Sequence, residues 1–435
     1  MTDRTTPESP STLPPNFEEL QNSWYQGVAK VFARVHKQDV ADVPLDIWKR
    51  LIQTTYDGVD VRPLYTRADE LAESPAPGQF PFVRGAKVTS DNTNGWGVRE
   101  TFGRQYPGED ALDPKAVNET LLTALENGTT DIRLDFTGSL EAADVPALLN
   151  NVYVDLAPIA VHAGKKTAQV AEALTSYIEQ ANPTNPDAVA VELSAAPLTS
   201  AFAGIDDISL DEATQLAVKA AKQPGDVRAL LVDGVVFSNL GANNIQEIGY
   251  SLAVGVAYLR ALTDAGLSAE EALGQIAFRF AATDDQFDTI AKFRAARVLW
   301  ARVAEVIGAP EAGRAPMHAV TAPVMFSQRD PWVNMLRVTV ASFAAGVGGA
   351  SSVEVLPFDY AVVGGMPNVS KTFKARIARN TNLLLLEESH LGYVADPAGG
   401  SYFVEDLTEE MADKAWEIFT GTEAGGGFAL SLIHI

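Results

Sequence analysis

Asp91, Asn244, Glu247 and His318 are the side chains whose types could combine into a polar reaction site. Asp91 sits in the run AKVTSDNTNGW, Asn244 and Glu247 in GANNIQEIG, and His318 at the head of HAVTA. An amide such as Asn244 donates a hydrogen bond to a carbonyl but cannot act as an acid. An imidazole exchanges protons near neutral pH, yet a lone His on an apolar strand is more often a hydrogen-bonded core residue than a catalyst. The sequence offers little else. It has no cysteine, which removes disulfides, thiolate metal sites and cysteine nucleophiles together. It has no Gly-rich phosphate loop and no clustered His/Asp/Glu metal set.

The elements that must position these residues alternate. Apolar strand-like runs occur at Ile132 to Phe136, Val152 to Val161, Ala188 to Leu193, Ala229 to Phe237, Ile276 to Ala281, His318 to Ala322 and Val353 to Leu356, with helical or connecting stretches between them. An eighth follows at Tyr393 to Ala395. Eight short strands with crossovers argue for a (β/α)8 TIM barrel, an α/β fold whose active sites lie at the C-terminal ends of the strands. An open doubly wound sheet is the alternative. Before the barrel, residues 16 to 31 carry Phe17, Leu20, Trp24 and Val28 on one helical stripe. Residues 55 to 85 follow as a Pro-punctuated arm bearing aromatic side chains. Such an arm cannot bury itself and must wrap a domain or another chain. Residues 408 to 419 form a last amphipathic helix.

Composition bounds the partners. Of 435 residues, 46% are hydrophobic, enough for a large core, and the net charge is −23. That charge repels nucleic acid and anionic lipid, so neither is expected as a partner. The first fifteen residues are polar and Pro-rich and read as a disordered lead, without the basic start and apolar core of a secretory signal. No run reaches about 18 unbroken apolar residues, so no membrane span is expected. The missing cysteines fit a cytoplasmic location.

The most informative stretch is RIARNTNLLLLEESHLGYVADPAGGSYFVE, Arg376 to Glu405. Its first part reads as a helix to Glu388. Asp396-Pro397 and Gly399-Gly400 read as a tight turn, and Ser401 to Glu405 as a strand or edge. The pattern RIARNT, EES, DP-x-GGSY and VE resembles the barrel end of the adenosylcobalamin-dependent acyl-CoA mutases, above all methylmalonyl-CoA mutase. IAKFRAARVLWARV (290 to 303) and NMLRVTVASFAAGVGG (334 to 349) are similar to the same family and read as core helices. The resemblance covers roughly residues 16 to 428. It implies an arm that clasps a second subunit, and a barrel that encloses an acyl-CoA while the cofactor carries the radical chemistry.

Set beside the catalytic members, four substrate loops are degenerate. The resemblance places a substrate-contacting Tyr at Asp91, where a carboxylate would repel an anionic thioester. The His that donates to the thioester carbonyl falls on Asn244, although Gln246 and Glu247 match. The Arg and Ser of an R-L-S triplet fall on Gln275 and Ala277. An R-x-H-x-Q run becomes Pro316, His318 and Val320, with only the His retained. The pattern resembles the small (beta) subunit of heterodimeric methylmalonyl-CoA mutase, which pairs with a catalytic large subunit that binds the acyl-CoA. No catalytic residue and no metal ligand is therefore expected here, and adenosylcobalamin is expected in the complex but not on this chain. A stand-alone barrel enzyme and an acyl-CoA mutase of altered specificity are the alternatives. The expected organisation is a disordered lead (1 to 15), an arm for subunit contact (16 to 115), the barrel (116 to 405) and a helix or linker (406 to 429). That linker would lead toward a truncated cobalamin-type α/β domain. Residues 430 to 435, LSLIHI, match what a common sequencing-library adapter encodes and are expected to be a non-native tail.

Overall fold

The computed structural model describes residues 13–87, 95–104 and 113–428. The expected lead to residue 12, Asp91 and the tail 430 to 435 lie outside the described residues. Eight parallel strands close into a barrel: β1 (Gly97–Gly103), β2 (Asp131–Asp135), β3 (Ile159–His162), β4 (Ala190–Ala195), β5 (Asp226–Asp233), β6 (Ile276–Ala282), β7 (Met317–Thr321) and β8 (Ser352–Glu354). β8 pairs with both β7 and β1, which completes the ring. The barrel is therefore the expected architecture, and the open sheet is excluded.

Four strand assignments differ from the sequence reading. The first strand is Gly97–Gly103, inside the segment assigned to the arm, so the barrel starts well before residue 116. Tyr393 to Ala395 is not a strand; a 3-10 turn, Leu391–Tyr393, stands there. Ser401 to Glu405 is no strand either, because Ser401 caps the helix Tyr402–Ala424 by accepting from the Val404 N–H. The second strand run was too long: Ile159–His162 alone is extended.

Burial explains the alternation. Ile132 and Leu134 of β2, Val161 of β3 and Phe278 and Phe280 of β6 join the main apolar cluster shared with the surrounding helices. Their helices are set by local chemistry. Ser209 with Glu212, Asn243 with Gln246 and Ser268 with Glu271 form capping boxes, each cap contributing about 1 kcal/mol. Trp300 is fully buried and meets Phe278 edge-on with centroids 4.7 Å apart. Gly255 leaves room for it, since a Cβ there would lie 2.7 Å from the indole. Gly346 plays the same part for Trp96, where a Cβ would come within 2.3 Å. Trp96 Nε1 in turn donates to Asn382 Oδ1 at 3.0 Å, and Asn382 Nδ2 donates to Val353 O at 3.0 Å. The second Asn of the RNTN run thus fastens helix Lys371–Leu383 to the barrel.

The N-terminal segment is only partly exposed. Helix Phe17–His36 buries Ala29 and Ala33 against Val43 and Ile47, while Leu20, placed on its apolar stripe by periodicity, is exposed. Tyr25 stacks on Trp48 at 5.8 Å. A short hairpin, Gln53–Thr54 with Asp60–Val61, leads into the arm. Of the arm aromatics only Tyr56 is largely exposed; Phe82 is buried. The arm docks on the body. Arg297 donates from Nε to Phe82 O at 3.0 Å and from Nη2 to Val83 O at 3.0 Å and Gly348 O at 2.7 Å. Its Nη1 reaches Gly349 O at 3.1 Å. Asp396 of the DP-x-GG turn accepts from Arg84 at 3.1 Å and also pairs with the buried Arg294, which reaches Glu405 at 2.6 Å. The conspicuous turn ties the arm to the body; it does not close the sheet. Among the described residues no helix is long and apolar enough to cross a membrane.

Candidate functional site

Inside the strands the charges point the other way from the apolar residues. Arg99 of β1 donates to Asp131 of the adjacent β2 at 2.9 Å and to Glu192 of β4 at 3.1 Å. Glu192 Oε1 lies 2.6 Å from His318 Nε2 on β7, and His318 Nδ1 lies 2.8 Å from Ser352 Oγ on β8. Strands β1 and β4 are not neighbours, nor are β4 and β7, so these contacts cross the lumen. An ionic crossbar spans the barrel where branched apolar side chains commonly fill it. Burial opposes ionisation of Glu192, but His318 and Arg99 outweigh it and hold its carboxyl well below the usual range. Burial raises Asp131 above that range despite Arg99 beside it.

Toward the C-terminal ends of the strands the lumen opens into a cavity of ≈ 480 Å³, a size that suits a small molecule. Arg133 and Asp135 of β2, His162 of β3, Arg279 of β6 and Glu354 of β8 line it, with Arg104 after β1 and Arg379 from helix Lys371–Leu383. Asp233 receives Arg279 through Nε at 3.1 Å and Nη2 at 2.6 Å. Arg379 holds Glu100 at 2.9 Å. Asp135 accepts from Thr137 at 2.6 Å and faces His162 Nδ1 at 3.2 Å. Burial works against the Asp135 carboxylate, but His162 and Arg133 hold its pKa below the usual range.

Of the described positions singled out from the sequence as degenerate or polar, Val320 lines this cavity, whereas Asn244, Glu247, Gln275, Ala277, Pro316 and His318 do not. Asn244 stands at the start of helix Asn244–Asp264, where its backbone N–H and Nδ2 both donate to Asp57 of the arm. Gln275 precedes β6 at its N-terminal end and donates from Nε2 to Val227 O at 3.0 Å. Ala277 is buried against Leu231 and Ala196. His318 belongs to the crossbar. Glu247 is wholly buried, paired with Lys292 and accepting from the Ala281 N–H at 2.8 Å. Burial pushes its carboxyl up although Lys292 opposes this. The polar site imagined from Asp91, Asn244, Glu247 and His318 does not assemble from its described members. Among the described residues no group of His, Cys, Asp or Glu is arranged to hold a metal ion.

The cavity residues escaped notice because they were read as strand filler. The signal was there: charged residues alternate with apolar ones in DIRLD and recur in FRF and SVEV, which places them on the face away from the helices.

A closed parallel barrel with its polar cavity at the C-terminal rim defines the class: an α/β barrel of the kind that houses small-molecule chemistry. A profile of the family described as methylmalonyl-CoA mutase matches residues 54–144 and 141–434. The chain belongs to that family. It is 46% identical over 415 residues to "Probable methylmalonyl-CoA mutase small subunit" of Mycobacterium bovis, covering 95% of this chain and 66% of that protein. It is 44% identical over 428 residues to "Methylmalonyl-CoA mutase small subunit" of Streptomyces virginiae, covering 98% and 67%. The match to the protein of the same name from Propionibacterium freudenreichii subsp. shermanii is 35% over 434 residues, covering 99% and 66%. The chain thus spans about two thirds of the length of these relatives.

Proposed function

We propose that this chain is the non-catalytic small subunit of a heterodimeric methylmalonyl-CoA mutase. In this reading it supports the isomerisation of methylmalonyl-CoA and succinyl-CoA carried out by a large partner chain. The observation that carries the reading is the crossbar of Arg99, Glu192 and His318, which occupies the lumen a barrel needs if it is to enclose a long acyl thioester. The relatives' names, each a small subunit, support it. So do the side chains at the degenerate positions: Asn244, Gln275 and Ala277 are committed to packing and to the arm. Adenosylcobalamin belongs to the partner in this proposal. A cavity of ≈ 480 Å³ does not fit a corrin. The degenerate Asp91 belongs to the same proposal.

The test is co-expression with the large chain, followed by a mutase assay on the complex and on each chain alone. The expected result is a 1:1 complex that turns over with adenosylcobalamin, a small chain with no turnover, and loss of assembly when residues 16 to 85 are deleted. Turnover by the small chain alone, or indifference to the large chain, overturns the reading.

A further inference from the structure

We propose that the cavity at the C-terminal rim is a binding site for a small oxyanion, a phosphate or a carboxylate, held by Arg133 and Arg104. This goes beyond the scaffold role, because a barrel without catalytic chemistry still binds a ligand here.

Among the described residues three carboxylates line the cavity, and each has an oxygen already hydrogen-bonded. Glu100 is held by Arg379 and accepts from Thr129 at 2.9 Å. Asp135 serves Thr137 and His162. Glu354 accepts from Thr101. Among the described residues five arginines line the same cavity. Arg99, Arg279 and Arg379 have hydrogen-bonded carboxylates of their own. Arg133 does not. It is 8% exposed, and its nearest carboxylate, Glu354 Oε2, stands at 3.9 Å, beyond hydrogen-bond reach. Its guanidinium makes no hydrogen bond among the described residues. Burial, and then the nearby Arg279, hold its pKa below the usual arginine value. Arg104, partly exposed on the same cavity, likewise has no ion pair among the described residues.

A buried guanidinium without acceptors is costly unless something anionic completes it. Its planar fork matches a carboxylate or phosphate bidentately. The cavity volume admits such a group with a short carbon frame, and His162 Nε2 on the wall has no partner among the described residues.

The experiment uses the full chain, with thermal unfolding and calorimetric titration in inorganic phosphate, in malonate, and in chloride at matched ionic strength. Phosphate or malonate should raise the Tm where chloride does not. Response to phosphate alone points to a phosphate ester, to malonate alone to a dicarboxylate, and to both to a general oxyanion site. Arg133→Met should weaken the bound anion about tenfold or more, the loss expected for one charge-assisted hydrogen bond. Without anion its Tm should equal or exceed that of the parent, because a buried guanidinium with no hydrogen-bonded acceptor has been removed. Arg104→Gln should weaken binding at unchanged Tm, and it decides the matter if Arg133→Met does not fold. The proposal is overturned if neither anion acts beyond chloride, if Arg133→Met binds as the parent does, if Arg133→Met lowers the anion-free Tm, or if Arg104→Gln leaves affinity unchanged.

Discussion

Asn244 and Asp57 form a two-point contact: the Asn244 backbone N–H donates to Asp57 Oδ1 at 2.8 Å and its Nδ2 to Oδ2 at 3.0 Å. The arm therefore supplies a carboxylate to the first turn of helix Asn244–Asp264, where the helix dipole and the unpaired N–H groups favour negative charge. The position where the resemblance leads one to expect a substrate-polarising His is, in this structure, the seat of the arm.

Asn244→Ala should leave turnover per assembled complex unchanged while loosening the arm. The lost hydrogen bond is worth about 1 kcal/mol, and Asp57→Ala should cost more because it also strips the helix N–H of its acceptor. Limited proteolysis between residues 53 and 61 reads the effect. A drop in turnover with the arm still protected would return Asn244 to the chemistry.

Arm docking should also depend on pH. Burial, with Asp285 and Asp57 nearby, pushes the Asp288 carboxyl up to about 7. A carboxyl whose pKa is raised on folding binds its proton more tightly in the folded chain. Its stabilisation is present in acid and fades as pH climbs through about 7. The Tm should therefore fall between about pH 4 and about pH 7 and level off above, and Asp288→Asn should flatten that slope. An unchanged slope in the variant would assign the dependence elsewhere.

Arg297 tests the arm's second anchor. Arg297→Lys keeps the charge but cannot place donors on Phe82, Val83, Gly348 and Gly349 together. The change should destabilise by about 3 kcal/mol, since hydrogen bonds from charged donors are lost and buried carbonyls left bare. Burial beside Arg294 lowers the Arg297 pKa to about 9.

Lys292 and Glu247 are 0% and 1% exposed as a pair. Removing one partner strands a buried charge, so Lys292→Met should cost about 3–5 kcal/mol. Lys292→Met with Glu247→Gln should recover much of that, read by a double-mutant cycle in urea. Additive losses would show that the two side chains act separately.

How much of this was legible in the sequence differs by element. The barrel was readable from its apolar runs, since every strand from Asp131–Asp135 to Ser352–Glu354 turns an apolar row toward the helices. Gly97–Gly103 was missed because GVRETFG alternates charge with glycine and one aromatic, and its inward Arg99 and Thr101 carry no hydrophobic signal. Tyr393 to Ala395 drew a strand assignment on propensity alone; Tyr393 and Val394 are exposed there, so tertiary context overrode preference. The alternation marked a charged inward face, but which of its groups pair with one another was not legible. Arg133 differs from Arg279 only in lacking an Asp within reach, and spacing along the chain does not reveal that.

The crossbar also bears on how the barrel can be divided. Arg99, Asp131 and Glu192 come from the first four strands, whereas His318 and Ser352 come from the last four. A fragment ending after β4 keeps its acids and loses the imidazole that balances Glu192. A fragment beginning at β5 buries an imidazole with no acid opposite. Neither half is self-sufficient in charge, so the two should acquire order only when mixed, as one cooperative unit.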